Sequence, residues 1–359
     1  MTAEDKPRDK TAAITGSCPL PITSFDTVQL GHGSGGRMMQ TLISDLFLWA
    51  FQNPILNKMD DQGIVEINGT KLAISTDSFV VDPLFFPGGN IGELAVFGTV
   101  NDVAMSGARP LYLTVGFIIE EGFSIELLRD IVVAMKQASE RCGVSIITGD
   151  TKVVHKGKGD KLFINTTGVG MIEHTYLISG TNVRPGDKLI INGGIAEHGI
   201  AVLSKREGLA FETTIESDAA PLCELTAVIV NAGAGAIHAM RDPTRGGVAA
   251  TLNEFASSSN VGIRIFEHHI PVKPPVAGAC AILGLDPLYV ANEGKLIVAV
   301  AAEKADQVLA AMRNHPLGAD SRIIGEVIPE DPGMVTIRTA LGSWRIVDMP
   351  LGEQLPRIC

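Results

Sequence analysis

The sequence has 359 residues, 45% hydrophobic and 19% charged, enough at roughly 100–200 residues per domain for two or three domains with packed cores. Aromatic residues are only 5%, so Val, Ile, Leu and Ala must build those cores around 39 glycines. The net charge of −11, with no Lys/Arg cluster, excludes a nucleic-acid partner, and an acidic chain that handles polyphosphate needs a metal to offset repulsion.

The first 25 residues are polar and mixed, lack the basic-then-apolar order of a signal peptide, and read as a flexible arm. Val28-Gln29-Leu30 leads as a short strand-like piece into the glycine-rich stretch GHGSGG, Gly31–Gly36. Met38, Met39, Leu42, Ile43, Leu46 and Phe47 then recur at helical spacing. Strands are expected at Ile64–Ile67 and Leu72–Ser75, a helix at Gly92–Ser106, a strand at Leu111–Ile119, a helix at Ser124–Arg141, and strands at Val144–Thr148 and Leu162–Ile172. Turn residues around Pro185-Gly186, within Ser179–Ile190, mark a domain boundary. Beyond it the pattern predicts helices at Glu197–Arg206, Leu222–Met240, Gly246–Ser257 and Glu303–Asn314. Strands are expected at Val261–Phe266, Lys295–Ala301, Arg322–Val327 and Met334–Ile337. Helices and strands mixed in each half, without strict alternation, predict two α+β domains rather than one doubly wound sheet. No apolar run approaches the roughly 18 residues of a membrane-spanning helix. Pro350 to Cys359, with two prolines, one glycine and no periodicity, read as a tail.

Several segments carry residues suited to chemistry. Gly31, Gly33 and Gly36 form G-x-G-x-x-G, which suits either a flexible turn or a loop whose backbone approaches phosphate. It is not a Walker loop, because Gly-Lys-Ser/Thr is missing. Asp60-Asp61, Asp77, Asp102, Asp150 and Asp242 each sit beside an apolar stretch, where a lone buried charge is costly. Taken singly each suits a cap or turn; together they suit a site where Mg²⁺ bridges carboxylates and nucleotide phosphates. Lys152 and Glu293 interrupt small or apolar surroundings and suit either surface ion pairs or proton transfer. The five cysteines are scattered without a CxxC pair, so neither zinc nor a disulfide framework is expected, and the cytoplasm is the natural location. Cys359 ends the sequence. A thiolate there is a nucleophile and acyl acceptor, and a nine-residue extended tail reaches roughly 30 Å at about 3.3–3.6 Å per residue.

GHGSGG, DDQG, STDSFVVDP, GTVNDVAMSGARP, TGDTKVV, DPTRGGVA, ANEGK and the closing PRIC, in order from about Val28 to Cys359, resemble the HypE family of hydrogenase maturation proteins. That family lies in the aminoimidazole ribonucleotide synthetase-like, or PurM-like, ATP-binding superfamily. The resemblance implies an α+β two-domain architecture: a flexible extension (1–27), an ATP-binding domain that dimerises through its sheet (28–180), a C-terminal α/β domain (181–348) and a mobile tail with the acceptor cysteine (349–359). It implies ATP under Gly33, Ser34, Gly35 and Gly36, with Asp61, Asp77, Asn101, Asp102 and Asp150 around it. Asp61, Asp77, Asp102 and Asp242 are implied as Mg²⁺ ligands. Cys359 would carry a carboxamide placed by a HypF-type carbamoyltransferase, ATP would phosphorylate its oxygen, and Lys152 and Glu293 would remove the nitrogen protons. The resulting cyano group would pass to iron on a HypC–HypD-type scaffold complex for the [NiFe] hydrogenase site. Apart from the resemblance, the charge of Arg357 suits holding the tail against phosphate.

Three other readings compete. A selenophosphate synthetase-like enzyme would carry a reactive Cys in the glycine loop, which GHGSGGR lacks, and another small-molecule kinase such as thiamine-monophosphate kinase would need no terminal Cys. A non-enzymatic ATP-gated scaffold would turn over no ATP. A nicotinamide-dependent dehydrogenase would need a strand–loop–helix unit at GHGSGG and gives the aspartates no role.

Overall fold

A computed structural model describes residues 26–209, 214–352, 355 and 358–359. Most of the 1–27 extension, Pro356 and Arg357 lie outside the described residues.

The N-terminal part opens with α1 (Arg37–Leu42), which runs through a π-helical turn at Ile43–Leu48 into α2 (Trp49–Phe51). It continues with β1 (Gly63–Ile67), β2 (Thr70–Phe79), β3 (Phe85–Phe86), β4 (Gly89–Asn90), α3 (Ile91–Ala104), β5 (Arg109–Glu120), α4 (Ile125–Cys142), β6 (Ser145–Val154) and β7 (Leu162–Ile172). Five of these strands form one sheet in the order β1-β2-β7-β5-β6, antiparallel except for the β5–β6 pair. The helix at 91 starts where Asn90 accepts the N–H groups of Gly92 and Glu93, satisfying amides that have no intrahelical partner. It is apolar on nearly every side and is buried, lying between the sheet and α4. The second long helix is capped by the Ser124 hydroxyl and stopped by Gly143 at φ +66°. It buries the Ile131, Met135 and Ala138 stripe on α3.

Among the described residues only one face of this sheet is covered. Leu113 and Val115 point into the core, while Tyr112 and Ile118 on the other face are 47% and 45% exposed. The edge strand β6 is exposed almost throughout, including Ile147 and Val153. An uncovered apolar face of this kind asks for a partner.

The C-terminal part contains β8 (Lys188–Ile191), α5 (Glu197–Arg206), α6 (Cys223–Gly233), β9 (Ile237–Arg241), α7 (Gly247–Ser259), β10 (Gly262–Phe266), α8 (Pro274–Leu283), β11 (Ile297–Val300), α9 (Ala302–Arg313), β12 (Arg322–Ile328), β13 (Val335–Arg338) and β14 (Trp344–Ile346). Its seven strands run β14-β13-β10-β12-β8-β11-β9. Here both faces are covered. Helices α5, α7 and α8 share one apolar cluster with the sheet, and α6 and α9 share another on the opposite face. The central strands accordingly read as unbroken apolar runs such as Ile-Val-Ala-Val, every residue buried.

Two expectations are corrected and one unforeseen helix is added. No strand precedes the glycine loop among the described residues; Leu30–Gly33 is a 3₁₀ turn with Leu30 exposed, so the dehydrogenase unit is missing. The helix expected over Leu222–Met240 stops at Gly233, because Ala234 turns into positive φ, and Ile237–Arg241 becomes an edge strand on β11. Pro274–Leu283 is a helix that apolar periodicity alone did not single out, although Pro at its start and Gly284 at its end mark it. No described helix is long and apolar enough to cross a membrane.

Candidate active site

Cys359 lies where the two domains meet. Its main-chain oxygen accepts a hydrogen bond from the Val80 N–H at 3.0 Å, just past the end of β2. The preceding Ile358 is buried in the core of the N-terminal domain. The start of the tail is pinned separately: the N–H groups of Arg37 and Met38 donate to the carbonyls of Pro350 (2.7 Å) and Leu351 (3.3 Å). Those are the first amides of α1, so the start of that helix is taken up by the tail. Gly36 lies under Pro350, where a Cβ would strike the carbonyl, and a Cβ on Gly35 would stand 2.6 Å from the Arg245 carbonyl oxygen. Gly35 also has φ +77°. Close approach of three chain segments therefore demands glycine here.

Two cavities open beside the thiol, and Cys359 lines both. The smaller, about 340 Å³, is bordered by Gly33, Ser34, Ser78, Val80 and Arg245. The larger, about 660 Å³, is bordered by Gly35, Asp61, Asp77, Asp102, Asp242 and Glu293. The topology explains this gathering of acids: Asp61 precedes β1, Asp77 is in β2, Asp102 is in the last turn of α3, Asp242 follows β9 and Glu293 precedes β11.

The charges here are poorly balanced. Arg241 Nε sits 2.8 Å from Asp61 and its Nη1 sits 3.2 Å from Glu254. Arg245 is 3.7 Å from Asp77. The Ser75 hydroxyl lies 2.8 Å from an Asp102 oxygen. Burial pushes Asp61 well above the usual carboxylate range, although Arg241 pulls it down. Burial, with the charges of Asp242, Asp61 and Asp77, does the same to Asp102. Burial lifts Asp242 to about 6 against the pull of Arg241. Glu293 is raised by burial and by Asp242, and its Oε1 is buried without a hydrogen-bond partner, as is Oε1 of Gln62 at the same cavity. Such a cluster is short of positive charge and fits a hard cation. Among the described residues no three His, Cys, Asp or Glu side chains form a ready-made chelate. A cation held there must therefore complete its shell with phosphate oxygens and water, the usual arrangement for Mg²⁺. Burial also pushes the Cys359 thiol up to about 12, with Arg245 opposing.

Not every expected residue joins this cluster. Asn101 is fully buried and points elsewhere: its Nδ2 donates to the carbonyls of Ala220 and Glu293, and its Oδ1 accepts the Leu222 N–H. A buried amide must find partners, and this one spends them joining the domains. Asp150 and Lys152 sit on β6, exposed and paired with each other at 2.8 Å. Lys152 pairs with Ile118, Ile118 with Phe163, and Phe163 neighbours Ile164, the partner of Phe79. Lys152 is thus three strands from the β2 end that binds Cys359, about 14 Å at about 4.7–4.9 Å per strand. Conversely, Arg245 went unweighed in the sequence, though it is the cation inside DPTRGG, and so did Arg241 and Gln62.

Residues 59–172 match the family described as AIR synthase related protein, N-terminal domain, and residues 184–338 match its C-terminal domain. The fold is that of the two-domain, PurM-like ATP-binding class. Carbamoyl dehydratase HypE of Bradyrhizobium diazoefficiens is 55% identical over 332 residues, covering 92% of this chain and 96% of that protein. A crystal structure of HypE in complex with ATP matches with a TM-score of 0.78 at 49% identity, covering 93% of this chain and 100% of that one. In the crystal structure of a HypE–HypF complex the match has a TM-score of 0.82 at 49% identity, covering 86% and 99%. The chain belongs to the HypE family of carbamoyl dehydratases.

Proposed function

We propose that this chain dehydrates a carbamoyl group on the sulfur of its own Cys359 to a cyano group, using ATP, and supplies that group as a ligand for the iron of the [NiFe] hydrogenase site. The observation that carries the reading is the seat of the tail. Ile358 is buried in the N-terminal core, and Cys359 borders both the glycine-loop cavity and the acid-lined cavity. A carrier thiol is held at the reaction centre by the fold itself, which converts the chemical step into an intramolecular one.

The bonds balance simply. The carboxamide oxygen leaves carbon on the phosphate group, the nitrogen gives up two protons, and S–C≡N remains beside ADP and phosphate. ATP supplies the phosphoryl group that turns a poor leaving oxygen into a good one, and Mg²⁺ bound among Asp61, Asp77, Asp102 and Asp242 would supply charge neutralisation for it. Arg245, next to Asp77 and the thiol, neutralises charge on the oxygen as the C–O bond stretches. Glu293, whose buried carboxyl binds protons more tightly than usual, is the nearer proton acceptor. Gly33 and Ser34 border the space beside the thiol on the glycine-loop side.

Lys152 and Asp150 reach a site only in a second copy. They project from the uncovered face of the sheet, as do Tyr112 and Ile118, and the same face carries Ser78 and Val80 at its other side. Two copies stacked face to face around a twofold axis would lay the β6 of one over the β2 end of the other. We therefore read the working enzyme as a homodimer with Lys152 crossing to the neighbour's site, where it handles the second nitrogen proton. A HypF-type carbamoyltransferase would load the thiol, a HypC–HypD-type complex would accept the cyano group, and the reaction would run in the cytoplasm, where unpaired thiols stay reduced.

Intact mass tests the reading. Cys359 should gain a carboxamide from carbamoyl phosphate and the carbamoyltransferase, lose one water on addition of MgATP, and do neither as Cys359→Ala. A chain that keeps its water while consuming ATP would point to kinase action on a free molecule.

A further inference from the structure

His198 lies in the first turn of α5, is fully buried, and belongs to none of the machinery above. Its Nε2 is 2.8 Å from the carbonyl oxygen of Ile358, and its Nδ1 is 2.8 Å from the Ser217 hydroxyl. A carbonyl only accepts, so the proton must be on Nε2, and Nδ1 must receive the Ser217 O–H. Ser217 is itself oriented: its hydroxyl oxygen accepts the Ala219 N–H at 3.1 Å, and its own N–H donates to the Pro87 carbonyl at 2.8 Å. Burial holds the ring below the ordinary imidazole pKa, against the pull of Asp218 and the Ile358 carbonyl, and so favours the neutral form. The ring edge packs on Phe86 at 5.4 Å, so no side-chain freedom is left.

The next residue grips the same segment. A Cβ on Gly199 would stand 3.2 Å from the Leu355 side chain and 2.5 Å from that of Val290, so only glycine lets the tail and the loop at 290–291 lie this close to the helix. One turn of α5 thus holds the tail at two points, one apolar at Leu355 and one polar at Ile358.

We infer that His198 is a positioning residue of the reaction: its Nε2–H, aimed by Ser217, seats the Ile358 carbonyl and thereby fixes the Cys359 thiol between the two cavities. Departure of the tail strands a buried N–H donor, a penalty that favours the seated state until water enters. The inference rests on the reading of Cys359 as the carrier.

The test uses full-length chain loaded with carbamoyl by the carbamoyltransferase, as wild type, His198→Phe, His198→Gln and Ser217→Ala. Two rates are followed: alkylation of the unloaded thiol by iodoacetamide, and loss of water from the loaded thiol after MgATP. In His198→Phe, which fills the space but cannot donate, alkylation should quicken and dehydration should slow by about tenfold each, the worth of one hydrogen bond in a dry site. His198→Gln, whose amide can donate from nearly the same position, should recover most of both. Ser217→Ala should shift both in the same directions by about threefold, and it decides the matter with the Gln variant if the Phe variant does not fold. Wild-type rates of alkylation in both His198→Phe and Ser217→Ala, or no recovery by Gln, overturn the inference. If wild type itself never loses water while the alkylation rates separate as described, the carrier reading fails and the seating role stands.

Discussion

Two buried charged clusters lie close together in this molecule and differ in kind. Beside the turn before α5, Lys295 sits 3.0 Å from Asp218 and 3.6 Å from Glu197, and Lys273 pairs with Glu197 from the surface. Asp218 also accepts the N–H groups of Glu293 and Gly294. Burial would raise Asp218, but the Lys295 ammonium beside it and the Glu293 N–H hold it below its ordinary value. That cluster is complete. Across the Glu293 loop, Asp61, Asp102, Asp242 and Glu293 are raised, and Glu293 keeps an unpartnered oxygen. A buried charge without its counter-charge costs stability, so the second cluster makes sense only with something added during the reaction.

The contrast can be broken by substitution. Lys295→Met strips the complete cluster of its cation and leaves Asp218 and Glu197 buried; we expect a loss of about 3–5 kcal/mol in urea unfolding. Glu293→Gln should leave stability unchanged or higher while slowing loss of water from the loaded thiol by about 10²–10⁴-fold, the range of a proton-transfer group. Equal destabilisation in the two variants would erase the distinction between the clusters.

The thiol offers a sharper probe. Its pKa rises from 9.0 to about 12 when seated, so without nucleotide at pH 8 it should alkylate about a hundredfold to a thousandfold more slowly than a free peptide thiol. The sign follows from linkage: the seated tail holds its proton more tightly than the free one, so seating weakens as pH climbs past about 9. A rate profile that levels near pH 9 would mean that the tail spends its time outside. The smallest expected effect is in Asp242→Asn, which removes one of the crowded charges: the nucleotide-free chain should gain about 1–2 kcal/mol, while the stabilisation by MgATP shrinks.

Local signals were legible in the sequence where one element sufficed to read them. The α4 stripe of Ile131 and Met135 and the stop at Gly143 are visible as periodicity and a glycine, and the aspartates stand out because each interrupts an apolar run. What depended on sheet order was hidden. Nothing in TGDTKVV says that Asp150 and Lys152 lie three strands from Cys359 on an exposed edge. The family resemblance implies Asn101 as a site residue beside Asp102, yet one helical step of about 100° turns it toward the other domain. His198 in AEHG carries no signal of its own, because its partners, Ser217 and the Ile358 carbonyl, are distant in sequence.

The most direct measurement is infrared spectroscopy of the carbamoyl-loaded chain, with ¹³C in the carbamoyl group, before and after MgATP. A nitrile stretch that shifts with the label, rising in step with phosphate release and absent in Glu293→Gln, is the outcome predicted for dehydration on the seated Cys359. Phosphate release with the label still in a carboxamide band would contradict it.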